Sequence, residues 1–384
     1  MSSVNKTPSH AVRRAVRLAR LAGGLAAATF AVTAHAGYST DFGLHLDAFG
    51  TLGGIYSDYD KADYVTDSYA HPHGAGYTRS FSMDQDTKLG VQLTTPLWWD
   101  KLTATVQVVS EQRYNGKFTP QFEWANLKYQ IDSEWSVRVG RVLAPTYITS
   151  ETQKVGYANY WARTPAEVAI GLPIPNIDGI DVSYERSFGE VSNRLEMLYG
   201  VNKEQVPYGI TYANTQIYAA ADVVQYGAAT LHLGFQKMYY TYAADSVVDP
   251  QKERYEAFEV GLTYDPGKFY LTGEIFNGQD QYAGHFEQWY AGGGYRLGTV
   301  TLYAARSNIE QATLGTWGAY PLFQQNTSMA GVRWDFYKNL DLKVQVDRTQ
   351  IGSLMVPTSF INVQPSAKIG DHADIISAMI DFVW

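Results

Sequence analysis

Apolar and polar residues alternate one by one along much of this sequence, and this pattern limits the folds that the chain can adopt. From Asp341 to Asp347 every second residue is aliphatic, and the residues between are charged or polar. Successive side chains of a β-strand point to opposite faces, whereas an amphipathic helix repeats about every 3.6 residues. The same alternation occurs in residues 88–94, 102–108, 125–130 and, less regularly, 377–384. Helical periodicity is nearly absent, so the sequence predicts an all-β protein.

Short and long connections take turns between these strands. The short ones carry turn-forming residues: Thr95–Lys101, Ile131–Glu134, Phe188–Glu190, Tyr226–Gly227, Asp265–Lys268, Arg296–Gly298 and Tyr337–Asn339. The long ones are polar or rich in Gly, Pro and Tyr: Ser57–Thr78, Arg113–Gln121, Val142–Asp178, Val201–Asn214, Tyr240–Arg254, Asn277–Gly284, Ile309–Asn326 and Thr349–His372. This rhythm predicts about 16 antiparallel strands, with both chain termini at the end of the short turns.

The first 36 residues differ from the rest of the chain. They hold five basic residues and no acidic ones, followed by an apolar stretch from Leu21 to Val32 and the small–x–small sequence Ala34–Ala36. A basic region, a short apolar region and such a cleavage site are typical of a secretory signal peptide. We therefore expect residues 1–36 to be a signal peptide and residues 37–384 to form the exported domain.

The exported part is acidic, with 25 basic against 38 acidic residues after the five basic residues of the signal peptide are set aside. An acidic balance without a basic cluster argues against nucleic acid as a partner. After Gly37, no stretch reaches the roughly 20 apolar residues that a spanning helix needs. The exported domain is therefore either a soluble β-sandwich or a membrane β-barrel.

Aromatic and charged residues favour the barrel. Aromatic rings gather where strands meet the short turns, as in the interfacial girdle of a membrane barrel: Trp98, Trp99, Tyr129, Trp135, Tyr264, Phe269, Tyr295, Phe336, Tyr337 and Trp384. The polar parity carries charges that suit a water-filled lumen: Lys88, Lys128, Arg138, Asp181, Glu185, Arg194, Glu196, Glu274, Arg333, Asp335, Lys343 and Asp347. The predicted fold is thus a transmembrane antiparallel β-barrel with long outer loops and short periplasmic turns.

Several short stretches of the chain together form a recognisable set: Leu44–Gly54, Asp86–Gln92, Glu123–Tyr129, Val139–Arg141, Val155–Ala158, Trp161–Pro165, Ile177–Asp181 and the C-terminal Asp381–Trp384. This set resembles the Gram-negative general porin superfamily, in particular a porin-like branch found in proteobacteria. It implies a 16-stranded barrel, usually a homotrimer, with the third outer loop folded into the lumen. It also implies that the barrel-insertion machinery reads the C-terminal strand, which ends here in Trp384 where Phe is commoner.

The resemblance places the functional part in the loop 142–178, the longest connection of the chain. Long ordered loops are usually functional, and the narrowest section of a pore decides what passes. The candidate constriction residues on this loop are Glu151, Arg163, Glu167 and Asp178. In the family, loop carboxylates commonly face a basic cluster on the barrel wall, and the candidates for that wall are Lys88, Lys128, Arg138 and Arg141.

Arg141 is the exception within this set, because counting alternately from Trp135 gives it the lipid-facing parity. A lipid-facing arginine near mid-height costs about 2–4 kcal/mol. We therefore expect a bulge, or the start of the loop, to turn Arg141 inward.

The predicted function is passive diffusion of small hydrophilic solutes and ions through an outer-membrane porin, without catalytic residues, cofactor or metal. Partners would be outer-membrane lipid and lipopolysaccharide, the insertion machinery and further copies of the chain. His71 and His73 lie in a polar outer loop, where exposure to solvent is a simpler interpretation than binding of a metal ion. Three alternatives stay open: a channel selective for anions, sugars or carboxylates, a barrel hydrolase, and a structural or adhesin barrel with a plugged lumen.

Overall fold

The computed structural model describes residues 37–41, 43–67, 71–97, 101–169, 176–206, 210–243, 252–281, 284–312, 321–352 and 359–384. The expected signal peptide 1–36 lies outside these residues, as do Trp98 and Trp99 of the expected aromatic girdle.

Long strands make up most of the described chain, and their bounds follow the alternating stretches of the sequence. They are β1 His45–Ser57, β2 Lys88–Pro96, β3 Leu102–Gln112, β4 Phe118–Gln130, β5 Trp135–Val142, β6 Ile177–Phe188, β7 Val191–Val206, β8 Ile210–Tyr226, β9 Ala229–Ala243, β10 Lys252–Tyr264, β11 Phe269–Asp280, β12 Gly284–Leu297, β13 Val300–Ala312, β14 Pro321–Tyr337, β15 Leu340–Ile351 and β16 His372–Val383.

These strands form one closed antiparallel barrel. Each strand pairs with the next along the chain, and β16 returns to pair with β1, with Phe49 opposite Val383. Backbone bonds between Ala48 and Trp384, 2.9 and 2.7 Å long, extend this last pairing to the C-terminus. Closure pairs the two edge strands of the barrel sheet, so among the described residues the barrel has no free edge strand. The predicted all-β, 16-stranded barrel is confirmed.

One end of the barrel carries the short turns that the sequence predicts. Gly189, Gly227 and Gly298 open two-residue turns with φ between 56° and 64°, and Asn339 has φ 62° in another. Positive φ is the conformation that tight hairpin turns require, and Gly and Asn adopt it at low cost.

At the other end, several expected loops are strand instead. β7 continues to Val206 and β8 begins at Ile210, so most of the expected loop 201–214 is paired strand. The hairpins at 113–121 and 277–284 are likewise tighter than expected. The reason is that the sequence here is polar without strict alternation, while the backbone stays paired with its neighbours apart from register breaks near Asn202 and Ala213.

The outward face of the barrel is an exposed apolar belt. Leu89, Val139 and Leu262 are each slightly more than half exposed. The residues next to them in sequence are less exposed, as expected when alternate side chains point into the barrel. Further exposed apolar residues of the same parity are Val91, Leu127, Ile180, Met197, Leu233, Phe258, Val260, Leu271, Ile275, Leu302, Val332 and Val346. Exposed aromatic rings border this belt at the short-turn end, at Tyr129, Trp135, Tyr264, Phe269, Tyr295 and Tyr337.

A small sheet covers part of the long-loop end. It joins the short strands Asp63–Tyr64, Ala75–Gly76 and Phe360–Ile361, which belong to the first and last long connections. Its buried apolar side chains pack on Ile55 and Ile375 at the ends of β1 and β16. No helix among the described residues is long and apolar enough to cross a membrane.

Candidate functional site

The connection between β5 and β6, residues 143–176 and here called the inner loop, packs against the inward faces of many strands. It contains the short helical turns Ser150–Thr152 and Gly156–Ala158 and one turn of α-helix, Ala166–Ala169. Its partners are polar side chains that alternate with the exposed apolar belt, so the described part of this loop lies inside the barrel.

Glu167 fixes one end of the inner loop to β13 and β14. Its carboxylate is fully buried and accepts hydrogen bonds from Ser307 Oγ at 2.6 Å, Gln325 Nε2 at 2.8 Å and Thr327 Oγ1. Gln325 also contacts Ser359 of the last long connection. A buried carboxylate is tolerated only when hydrogen bonds replace its hydration. Glu167, predicted as a constriction residue, is therefore a buried anchor of the loop.

Arg163 is a second anchor. Its guanidinium donates to both carboxylate oxygens of Asp86, at 2.9 and 3.3 Å, to Asp347 at 3.0 Å and to Ser377 Oγ at 2.7 Å. Burial by itself lowers the pKa of Arg163, but Asp86 and Asp347 outweigh it and the pKa is raised. The side chain is therefore permanently charged, and it ties the loop to β15, β16 and the first long connection.

The inner loop reaches down to the short-turn end of the barrel. The Tyr160 ring stacks on Tyr270 with centroids 3.8 Å apart, and its hydroxyl donates to Asp265 at 2.7 Å. Arg296 makes two bonds of 2.7 Å to the same carboxylate. The hydrogen bonds from Arg296, and to a smaller extent the one from Tyr160, hold the pKa of Asp265 well below its usual range. The loop thus fills the lumen beside β10, β11 and β12.

Backbone carbonyls in the middle of the loop accept from the opposite wall. Lys343 Nζ donates to Gly156 O at 2.7 Å and to Asp381 at 2.9 Å, while Arg333 donates to the carbonyls of Tyr157 and Asn159 at 2.8 Å. Lys343 is fully buried. The wall of β14 to β16 is therefore covered by the loop, although its charged residues lie on the inward face.

Glu151 lies on the uncovered side of the inner loop, toward β5 and β7. Its Oε1 is 3.2 Å from Arg194 Nη2 and 3.9 Å from Arg138 Nη1, and its side chain is half exposed. Arg138 also pairs with Asp181 at 2.6 Å and Glu196 at 2.8 Å. The loop carboxylate thus pairs directly with Arg194 and lies near Arg138, and its exposed half borders solvent inside the barrel.

Two lysines continue this wall. Lys128 on β4 lies directly opposite Arg138 in the strand register, is exposed, and has no ion pair or hydrogen bond to its ammonium within the described ranges. Lys88 on β2 lies opposite Glu111, whose carboxylate instead pairs with Lys154 of the loop. Burial lowers the pKa of Lys154, but Glu111 outweighs it and the pKa is raised.

Arg141 and Asp178 do not lie on this inward wall. The register of β5 with both neighbours is unbroken through Arg141, which keeps the outward parity of Val139. Asp178 lies directly opposite and accepts from Arg141 Nε and Nη2, both at 2.7 Å. The expected inward turn is absent from these described strands, since Arg141 is next to last in β5 and brings its own counter-ion.

The structure therefore places Glu151 3.9 Å from Arg138 and Lys128 opposite Arg138 in the strand register, with Lys88 on the same inward wall. It separates Arg163 and Glu167 as buried anchors, and Arg141 with Asp178 as an outward pair. Arg194 is the residue that site prediction missed. The alternating pattern predicts that Arg194 points inward, but its closeness to Glu151 depends on how the loop folds.

The barrel is similar in fold to solved outer-membrane proteins at low sequence identity. Outer-membrane expressed OmpT of Vibrio cholerae has a TM-score of 0.57 at 13% identity, with 91% of this chain and 100% of that chain covered. An anion-selective porin from Comamonas acidovorans has 0.56 at 12%, covering 89% and 99%. The outer membrane channel DcaP of Acinetobacter baumannii has 0.54 at 15%, covering 91% and 100%.

These similarities establish the barrel fold. No protein-family model matches the chain, and no curated protein matches its sequence.

Proposed function

We propose that this protein is an outer-membrane porin of the general porin type, which lets small hydrophilic solutes and ions diffuse through a water-filled channel. The observation that carries the proposal is that charged side chains of the inner loop and of the wall, Glu151, Arg194 and Lys128, stay solvent-accessible on the inward side of the barrel. A charged, narrowed and accessible section inside a barrel is the part that selects solutes in a pore.

The exposed apolar belt supports insertion in a membrane. An outward apolar band, a polar inward face and short turns at one end are the features of bacterial outer-membrane barrels. We assign the short-turn end to the periplasm and the long-loop end to the outside. The signal peptide 1–36 would deliver the chain, and the C-terminal strand ending in Trp384 would be recognised by the barrel-insertion machinery.

The inner loop, in this proposal, is the constriction loop. Anchors at Glu167, Arg163 and Tyr160 hold it against the walls of β10 to β16, and Lys154 and Glu151 pair with Glu111 on β3 and Arg194 on β7. In this proposal, solutes pass beside these two pairs, along the inward wall of β2 to β8. Lys88, Lys128, Arg138 and Arg194 supply the positive wall of that passage. The positions of these charges favour a transverse field, because Glu151 stands opposite them.

Further copies of the chain are the proposed partners, in a homotrimer of the kind that the resembling family forms, within outer-membrane lipid and lipopolysaccharide. Neither an enzymatic reaction nor nucleic-acid binding is part of the proposal. The porin and channel of similar fold, from Comamonas acidovorans and Acinetobacter baumannii, support a channel rather than a hydrolase.

The test is conductance of the purified protein in planar bilayers of plain phospholipid. Stepwise openings, in groups of three for a trimer, are the expected result, with conductance that rises with salt. Closed bilayers at all voltages would refute the channel and leave the structural barrel. A conductance blocked by one solute class at low concentration would replace general diffusion by selective uptake.

A further inference from the structure

A small cavity lies between the inner loop and the inward faces of β9 and β10. Its polar lining is Thr146 of the loop with Gly234, Gln236 and Glu259 of the wall, and aromatic rings of β9, β10 and β11 complete it. The volume of about 10 Å³ is at the lower limit of the roughly 10–15 Å³ that one water molecule needs. The cavity, here called the loop–wall cavity, therefore has room for one small particle.

Oxygen atoms without hydrogen-bond donors border this cavity. Gln236 and Glu259 are each 3% exposed, and Oε1 of each has no partner among the described residues. Gly234 lies directly opposite Glu259 in the register, and a Cβ there would lie 2.9 Å from Glu259 Oε2 and 3.3 Å from the Thr146 carbonyl oxygen. The space beside this glycine is therefore flanked by a carboxylate, a backbone carbonyl and an amide side chain.

The charge of Glu259 is compensated only in part. Its Oε2 is hydrogen-bonded to His232 Nδ1, and no lysine or arginine of the described chain pairs with it. The neighbouring inward carboxylate, Glu274 on β11, is 2% exposed and accepts hydrogen bonds from Ile148 N at 2.9 Å and Tyr290 Oη at 3.3 Å. The two carboxylates interact electrostatically. Buried negative charge of this kind is unfavourable without a counter-charge.

A metal cation suits this lining better than a water molecule does. The Glu259 carboxylate, Gln236 Oε1 and the Thr146 carbonyl are all acceptors, whereas a water molecule has only two hydrogens to donate. No three His, Cys, Asp or Glu side chains of the described chain converge as metal ligands, so the site relies on an amide and a backbone carbonyl as well. Carboxylate, amide and backbone carbonyl oxygens are the ligands of Ca²⁺, which tolerates irregular geometry, whereas Mg²⁺ demands an octahedron.

We propose that the loop–wall cavity binds a Ca²⁺ ion, which joins the inner loop at Thr146 to Gln236 on β9 and Glu259 on β10. Its two positive charges balance the carboxylates of Glu259 and Glu274. The ion is a further anchor of the inner loop, at its beginning, while the anchors described above hold its later part. The inference concerns how the loop is attached, and it does not rest on conductance.

The test is metal binding by the purified protein, refolded with Ca²⁺ in detergent free of lipopolysaccharide. Mass spectrometry of the metal content after gel filtration should find one Ca²⁺ retained per chain. Terbium(III), which replaces Ca²⁺ in oxygen sites, should luminesce on excitation of tyrosine, because Tyr255 lines the cavity. Mg²⁺ and Na⁺ at the same concentration should displace the terbium less effectively than Ca²⁺ does.

Three single variants locate the ion. E259Q keeps the side-chain volume but removes the charged ligand, and it should bind Ca²⁺ at least about tenfold more weakly. Q236E adds a second carboxylate to the lining and should bind Ca²⁺ more tightly, which a misfolded protein would not do. E256Q is the matched control, because Glu256 lies on the outward side of the same strand and pairs with Lys237, and it should bind as the wild type does.

A wild type that retains no Ca²⁺ and shows no terbium luminescence would overturn the inference and leave a water molecule or a proton in the cavity. Equal affinity of the wild type and E259Q would place the ion elsewhere, and displacement by Na⁺ as effective as by Ca²⁺ would refute a calcium site. Conductance recorded on the same preparations separates the two proposals, since a closed barrel that still binds Ca²⁺ refutes only the channel.

Discussion

The Glu151 carboxylate lies 3.2 Å from the Arg194 guanidinium, although one belongs to the inner loop and the other to strand β7. The side chain of Glu151 is half exposed and that of Arg194 is 36% exposed, so both charges contact the accessible space between loop and wall. This pair joins the loop to the wall directly, and its exposed atoms border the solvent-accessible part of the lumen. Changing a charge on the loop or on the wall should therefore alter the ion selectivity of the proposed channel.

Glu151→Gln should shift the ion selectivity of the channel toward anions. The change removes one negative charge from the passage while keeping the side-chain volume, and two unit charges about 4 Å apart interact by about 1 kcal/mol in water. The ratio of anion to cation permeability should therefore rise by a factor on the order of five. Reversal potentials in a salt gradient measure it, and an unchanged potential would remove Glu151 from the passage.

Lys128→Gln should have the opposite effect, a shift toward cations. Lys128 is exposed on the same wall, and because its ammonium has no carboxylate partner among the described residues, the change leaves no buried carboxylate unpaired. Arg141→Gln is the matched control, because Arg141 is outward and paired with Asp178. Equal shifts from both variants would contradict the assignment of faces.

The sequence predicts the barrel well because its physical basis is local. From Asp341 to Asp347, successive side chains point in turn to the polar inward face and the apolar outward face of one strand, so each residue carries the signal by itself. Tight turns are likewise local, since Gly227 needs only its own backbone conformation. The ends of strands are less readable, because above the apolar belt both faces contact polar surroundings, and β7 continues to Val206 without an apolar signal.

The site is predicted only in part because it depends on contacts distant in sequence. Glu167 meets Thr327, 160 residues away, and nothing in its neighbourhood distinguishes this anchor from a pore carboxylate such as Glu151. Arg141 was expected to turn inward because an isolated lipid-facing charge is costly, but the sequence does not reveal that Asp178 pairs with it across the strands. The alternating pattern assigns Arg141 to the outward face, but only its pairing with Asp178 in the structure explains how the energetic cost of that position is offset.

Glu167→Ala should release the inner loop while leaving the barrel closed. It removes the acceptor of Ser307, Gln325 and Thr327, and each buried donor left unsatisfied costs about 1–3 kcal/mol. Glu167→Gln keeps one acceptor oxygen and should lie between this variant and the wild type. Limited proteolysis within 143–176 and increased current noise are the readouts. Glu190→Ala, on an exposed short turn, is the control, and equal protease resistance of both variants would refute the anchor.

The first long connection should loosen in acid because of His71. Burial lowers the pKa of His71 from 6.5, and the nearby carboxylates Asp67, Glu111 and Asp86 only partly oppose that effect. The unfolded loop therefore takes up a proton below about pH 6.5 while the folded loop stays neutral, so stability is present above this pH and falls as the pH decreases through it. Hydrogen exchange of residues 58–87 should accelerate between pH 7 and 5 beyond the intrinsic pH dependence. In His71→Gln, which keeps a polar side chain beside Gln112 but cannot titrate, this excess should vanish; its persistence would assign the change to another group.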